Sequence, residues 1–192
     1  MRAHRLALVA LLAGFSLTAC TTGGIGRGSV RSELATTAGT VDAGEAAALI
    51  SQYRQSKGRS SVKVDPALMA IARAHSDRMA AADTMTHVLP GEGGFRDRLV
   101  AGSYDAGMAA ENVAEGQSSL AEVLQDWKNS PSHNANLLEE HIDDIGIAVS
   151  VAAGSKYKYF WTLVLGKRRP PAGIMGGPGP IPGANGATIE IH

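Results

Sequence analysis

The sequence predicts an α+β domain in which helices come first and strands last. Large apolar residues between Ala46 and Trp127 recur at helical spacing, and from Ile145 onward the period changes to two. Helices and strands do not alternate along the chain, which argues against a β/α repeat. The 192 residues include one cysteine, Cys20, so no internal disulfide can form. A single domain must therefore be held together by its own core.

Each element follows from local signals. Residues 1–19 are expected to be a signal peptide: Arg2 and Arg5 precede the apolar run from Leu6 to Leu17. That run is too short to cross a hydrocarbon core, which needs about 20 residues as a helix. Leu17-Thr18-Ala19-Cys20 resembles the bacterial lipobox, which implies palmitate-type lipidation of Cys20 and a membrane as partner. Thr21 after the cysteine implies the outer membrane if the source is Gram-negative. Residues 20–43 are rich in Gly, Ser, Thr and Ala and read as a flexible tether. The compact domain is expected over 44–167. The Gly- and Pro-rich stretch 168–192 reads as a disordered tail whose end, Thr188 to Ile191, could pair as a short strand.

Within the domain, Ala46, Leu49, Ile50 and Tyr53 mark a first helix, stopped by Gly58. Asp65 followed by Pro66 is an N-cap with proline in the first turn. The helix they open carries Leu68, Ile71, Ala72, His75 and Met79 on one face. A short helix covers Phe95 to Val100 and ends before Gly102. Ser119 and Glu122 form a capping-box pair ahead of Leu120, Val123, Leu124 and Trp127. That helix should stop by Ser130, because proline disfavours the helical conformation in the residue before it. Ile145, Ile147, Val149 and Val151 then alternate as a half-buried strand. Ala153-Gly154-Ser155 supplies a turn, and Tyr157, Tyr159, Trp161, Leu163 and Leu165 alternate again, giving an antiparallel hairpin.

Lys plus Arg and Asp plus Glu each number 18. That balance, with no basic stripe, argues against nucleic acid as a partner. Two segments read as irregular and hold polar residues where helical patterning stops. One runs from Asp83 to Gly116 and contains His87 and Glu111; the other, Ser130 to Leu138, contains His133. Two histidines and a glutamate suit zinc or another divalent ion with an open position for water. Equally, Glu111 could orient a histidine, or the three could form a buried network that only rigidifies the fold. His75 reads as a core residue with a satisfied ring nitrogen, His141 as a solvated turn residue and Glu115 as surface. Trp127 and Trp161 read as core anchors. Asn112, Asn134 and Asn136 are expected to bond local backbone.

The ordered set of segments resembles the CAP (SCP-like) superfamily in its compact bacterial form. Its parts are the helix with Ile50-Ser51-Gln52-Tyr53-Arg54, the helix from Asp65 to Met79, Met85 to His87, and Ala110 to Ala114. The most diagnostic run is Trp127 to Leu138, and Ile145 to Val149 and Tyr159 to Thr162 close the set. The resemblance implies an α-β-α sandwich with a central cleft holding two histidines and two glutamates, which binds zinc in some members. His87, Glu111 and His133 occupy three of those positions. The second glutamate, expected near Asn129 and Ser130, has no counterpart. Ala110 and Ser132 stand where glycine is usual, and Leu163 stands where glutamine is common, which implies a less polar cleft wall. The leading function is an envelope binding module for a lipid, small amphiphile, divalent metal or envelope partner. One alternative is a metal-dependent hydrolase or peptidase, with His87 and His133 on the metal and Glu111 as base. The other is a structural envelope protein with an inert cleft.

Overall fold

The computed structural model describes residues 39–170 and 188–191, all within one compact unit. The expected signal peptide, Cys20 and the tether up to residue 38 lie outside the described residues, as does the tail over 171–187. Five helices are described: α1 (Ala43–Ser56), α2 (Pro66–Ala82), α3 (Phe95–Ala101), α4 (Leu120–Asn129) and α5 (Pro131–Leu137). The strands are β1 (Lys63–Val64), β2 (Ala106–Glu115), β3 (Asp144–Val151), β4 (Tyr159–Arg168) and β5 (Thr188–Ile191). They form one sheet in the order β1-β3-β4-β2-β5. β4 pairs antiparallel with both β2 and β3, while β1 and β5 add parallel edges.

Helix starts follow the capping residues. The Asp65 side chain accepts from the N–H groups of Ala67 and Leu68 at 2.8 and 3.1 Å. Ser119 accepts from the Glu122 N–H at 3.2 Å. Glu122 reaches back one residue further than expected, taking the Ser118 N–H at 2.7 Å. The Asp65 and Ser119 caps satisfy donors that the first helical turn leaves without partners.

Alternation along the strands divides the core into two layers. Ile145, Ile147, Val149, Trp161, Leu163 and Leu165 face α1, α4 and α5, where Trp127 is also buried. Ala109, Ala148 and Val164 face α2 and α3, with Val113 and Phe160 beside Met79. The result is an α-β-α sandwich. β3 is therefore buried on both faces, not half-buried: Gly146 and Ala148 are buried behind α2, and Ser150 keeps only 6 % exposure. A Cβ at Gly146 would overlap the main chain of Leu68, so the small residues on this face set how closely α2 approaches.

Two segments that read as irregular are regular. Residues 106–115 form β2, although Ala106-Gly107-Met108-Ala109-Ala110 has weak strand propensity. Pairing decides it: β2 follows β4 from Ala106↔Arg168 to Glu115↔Phe160, with one register shift near Met108. Residues 131–137 form α5. Ser130 is extended (φ −86°, ψ 121°) and serves both as the C-cap of α4 and the N-cap of α5. Pro131 thus ends one helix and opens the next, since its missing N–H costs nothing at the first helical position. The second strand begins at Tyr159; Tyr157 lies before it and is exposed. Thr188–Ile191 pairs with Met108–Glu111 of β2.

Candidate functional site

β2 places Glu111 and Asn112 on opposite faces of the sheet, because successive strand side chains alternate. Glu111 lies on the α2/α3 side and is fully buried. His87, from the loop after α2, sets its Nδ1 2.9 Å from Glu111 Oε1. An ionised carboxylate only accepts, so Nδ1 carries the proton and donates. Arg98 of α3 holds the same carboxylate, with Nη2 2.8 Å from both oxygens. The orienting role considered for Glu111 is the one this geometry supports.

A second carboxylate joins this cluster, and it is Glu92, in the Gly-flanked loop before α3. Both Glu92 oxygens lie 2.9 Å from His75 Nδ1, and Oε1 lies 3.7 Å from Arg98 Nη1. His75 is wholly buried, and its Nε2 sits 2.9 Å from the Thr86 carbonyl. A carbonyl cannot donate, so Nε2 carries a proton. Nδ1 faces the Glu92 carboxylate, and Arg98 lies against both carboxylates as a buried counter-charge. The core reading of His75 is right, but its ring belongs to the polar cluster. No spacing rule pointed to Glu92; its one signal is a single charged residue among Gly91, Gly93 and Gly94.

The main chain of His133, in α5, is bonded from the other face of the sheet. Its carbonyl accepts from Asn112 Nδ2 at 3.1 Å. Asn136 Nδ2 donates to Asn112 Oδ1 at 2.9 Å and to the Glu111 carbonyl at 3.3 Å. Asn134 Oδ1 accepts from the Tyr53 hydroxyl at 2.7 Å. These asparagines thus make long-range bonds, not the local ones expected, and they stitch α5 to β2 and α1. Leu163 is paired with Asn112 and fully buried in the apolar core.

Peripheral groups follow simple causes. His141 is largely exposed beside Glu139, as its solvated reading predicts. Glu115 is half-buried and not surface; burial, with Asp83 nearby, pushes its carboxyl up. Burial also pushes the Tyr104 hydroxyl up, and its hydrogen bond to Asp144 adds to the shift. Glu111 is not available to a divalent ion, since both of its oxygens are held by Arg98. The Arg98 guanidinium occupies the position against Glu111 that a dication would take. Among the described residues, no group of three or more His, Cys, Asp or Glu side chains is arranged as a metal site.

A three-layer sandwich with a buried His/Glu/Arg cluster on one face of its sheet defines a recognisable class. Residues 47–165 match the CAP, or cysteine-rich secretory protein, family, and the chain belongs to that family. It is 32 % identical over 114 residues to the uncharacterized protein YkwD of Bacillus subtilis (strain 168), covering 59 % of this chain and 42 % of that one. Its fold is similar to that of an extracellular protein containing an SCP domain from Bacillus anthracis. That match has 27 % identity and a TM-score of 0.57, and covers 65 % of this chain and 39 % of the other. An outer surface protein from Borrelia burgdorferi shares the fold at 23 % identity and a TM-score of 0.58, over 69 % of this chain and all of that protein. The chain thus spans less than half the length of the two Bacillus proteins. Among the described residues no helix is long and apolar enough to cross a membrane.

Proposed function

We propose that this chain is an exported, envelope-anchored binding module whose ligand is a small amphiphile. The observation that carries this is the setting of His87. Its side chain is 22 % exposed and is held from behind by a carboxylate with no exposure. Met85 and Val88 beside it are large apolar residues left 42 % and 51 % exposed. A fixed polar ring flanked in sequence by two exposed apolar residues suits a molecule with a hydrogen-bonding head and a short chain. Hydrolysis has less support. Glu111 is fully buried and committed to Arg98, so it is poorly placed to take a proton from a substrate or water.

Titration with decanoic acid below its micellar range, followed by NMR, tests the reading. The Met85 methyl and His87 ring signals should shift together and saturate, and Met85→Ser should weaken binding at least tenfold. Absence of saturable shifts, or equal binding by the variant, would overturn it. The address is tested in parallel: the wild-type chain should sediment with membranes and Cys20→Ser should not.

A further inference from the structure

α3, the turn after it and the chain entering β2 line a pocket of about 310 Å³, at the lower end of the range for small-molecule sites. It is separate from the buried cluster, none of whose side chains lines it. Leu99, Tyr104 and Ala106 are the buried, largely apolar part of the lining. Tyr104 is held in place, because its hydroxyl donates to Asp144 at 2.9 Å and Arg168 stands over its ring at 4.4 Å. Ser103, at φ 57°, turns the chain from α3 towards Tyr104 and also lines the pocket. Val100 lines it too and is 72 % exposed. A ligand there would cover apolar surface that now faces water.

The charged groups of the lining are Arg96, Arg169 and Asp105. Arg169 is already engaged: Nε lies 3.4 Å from Asp105 Oδ1, and Nη2 donates to the Ala106 carbonyl at 3.3 Å. Arg96 is exposed and has no hydrogen bond or ion pair among the described residues. The carboxylate next to it in sequence, Asp97, accepts from the Gly94 N–H at 2.9 Å and does not line the pocket. Arg168 is likewise turned to Asp65, at 2.9 Å. Two guanidiniums against one carboxylate leave a single positive charge, and it sits on an accessible group. A monoanion balances that charge, whereas a dianion would bring excess negative charge beside Asp105. A neutral head would leave Arg96 without a counter-charge. The planar guanidinium presents paired N–H donors, which match the two oxygens of a carboxylate.

We propose that this pocket binds a small carboxylic acid with a compact apolar body, its carboxylate on Arg96 and its body against Leu99, Val100 and Ala106. The test is a titration of the full ¹⁵N-labelled chain with cyclohexanecarboxylate at neutral pH. Saturable shifts are expected at the amides of Val100, Ser103 and Ala106. Arg96→Gln, which removes no hydrogen bond or ion pair of the fold, should weaken binding at least tenfold. If that variant does not fold, Val100→Asp, also at an exposed position, should weaken it as much by setting a like charge against the acid. Cyclohexanecarboxamide should bind at least tenfold more weakly than the acid. Shifts that never saturate, equal binding by the variant, or an amide that binds as tightly as the acid would overturn the proposal. So would saturable shifts confined to Met85 and His87, because the acid would then occupy the site proposed above and leave this pocket empty.

Discussion

The two faces of the sheet are built from alternate residues of the same strands, yet they solve different problems. Towards α1, α4 and α5, β3 and β4 present Ile145, Ile147, Trp161, Leu163 and Leu165, an apolar layer in which Trp127 is embedded. Towards α2 and α3 the same strands present Gly146, Ala148, Thr162 and Val164, and β2 contributes Glu111. The first face stabilises by burying large apolar surface. The second gives up some of that burial so that α2 can approach closely and a charged cluster can be enclosed. Stability and polar function are thereby separated by one residue of strand register.

Substitutions should expose that division. Gly146→Val should have the largest effect, because the added side chain would overlap the Leu68 main chain; no cooperative transition is expected in urea. Glu111→Gln should cost about 3–5 kcal/mol, since it leaves Arg98 buried without its main counter-charge. Leu163→Ala, at the register partner of Asn112 on the apolar face, should cost about 2–5 kcal/mol through a cavity. Neither loss should change much with ionic strength, because Leu163 is apolar and the Glu111–Arg98 pair is enclosed. Chemical unfolding of each variant, repeated at low and high salt, checks both. If Glu111→Gln costs under about 1 kcal/mol, the cluster does not hold the second face together.

The smallest effect lies where α2 begins. Burial pulls the Asp65 carboxyl up, but Arg168 and the N–H groups of Leu68 and Ala67 outweigh it and hold it below its usual range. A carboxyl that titrates lower when folded contributes its stability above the unfolded value and loses it as pH falls through the folded one. Asp65→Ala should therefore cost about 1 kcal/mol at neutral pH, and the gap from wild type should close in acid. A gap that is constant from pH 7 to pH 3 would refute this.

Much of the fold was legible because its signals are local. Asp65-Pro66 opens α2, Ser119 opens α4, and the alternation from Ile145 and from Tyr159 gives the hairpin. β2 was not legible, because its residues become a strand only through the ladder offered by β4. Pro131 misled for a related reason: its effect on the residue before it was read, but its fitness to start a helix was not. In the site, His87 and Glu111 were found and do meet. Glu92 was missed because its contacts with His75 and Arg98 arise only once the loop before α3 packs against α2 and α3.

The sheet's outer strands have a further consequence. β1 offers two residues and β5 four, and both run parallel to their neighbours. Open strand edges invite pairing with other chains, and short ones resist it. Outer strands this short offer another chain few backbone groups of their own to pair with.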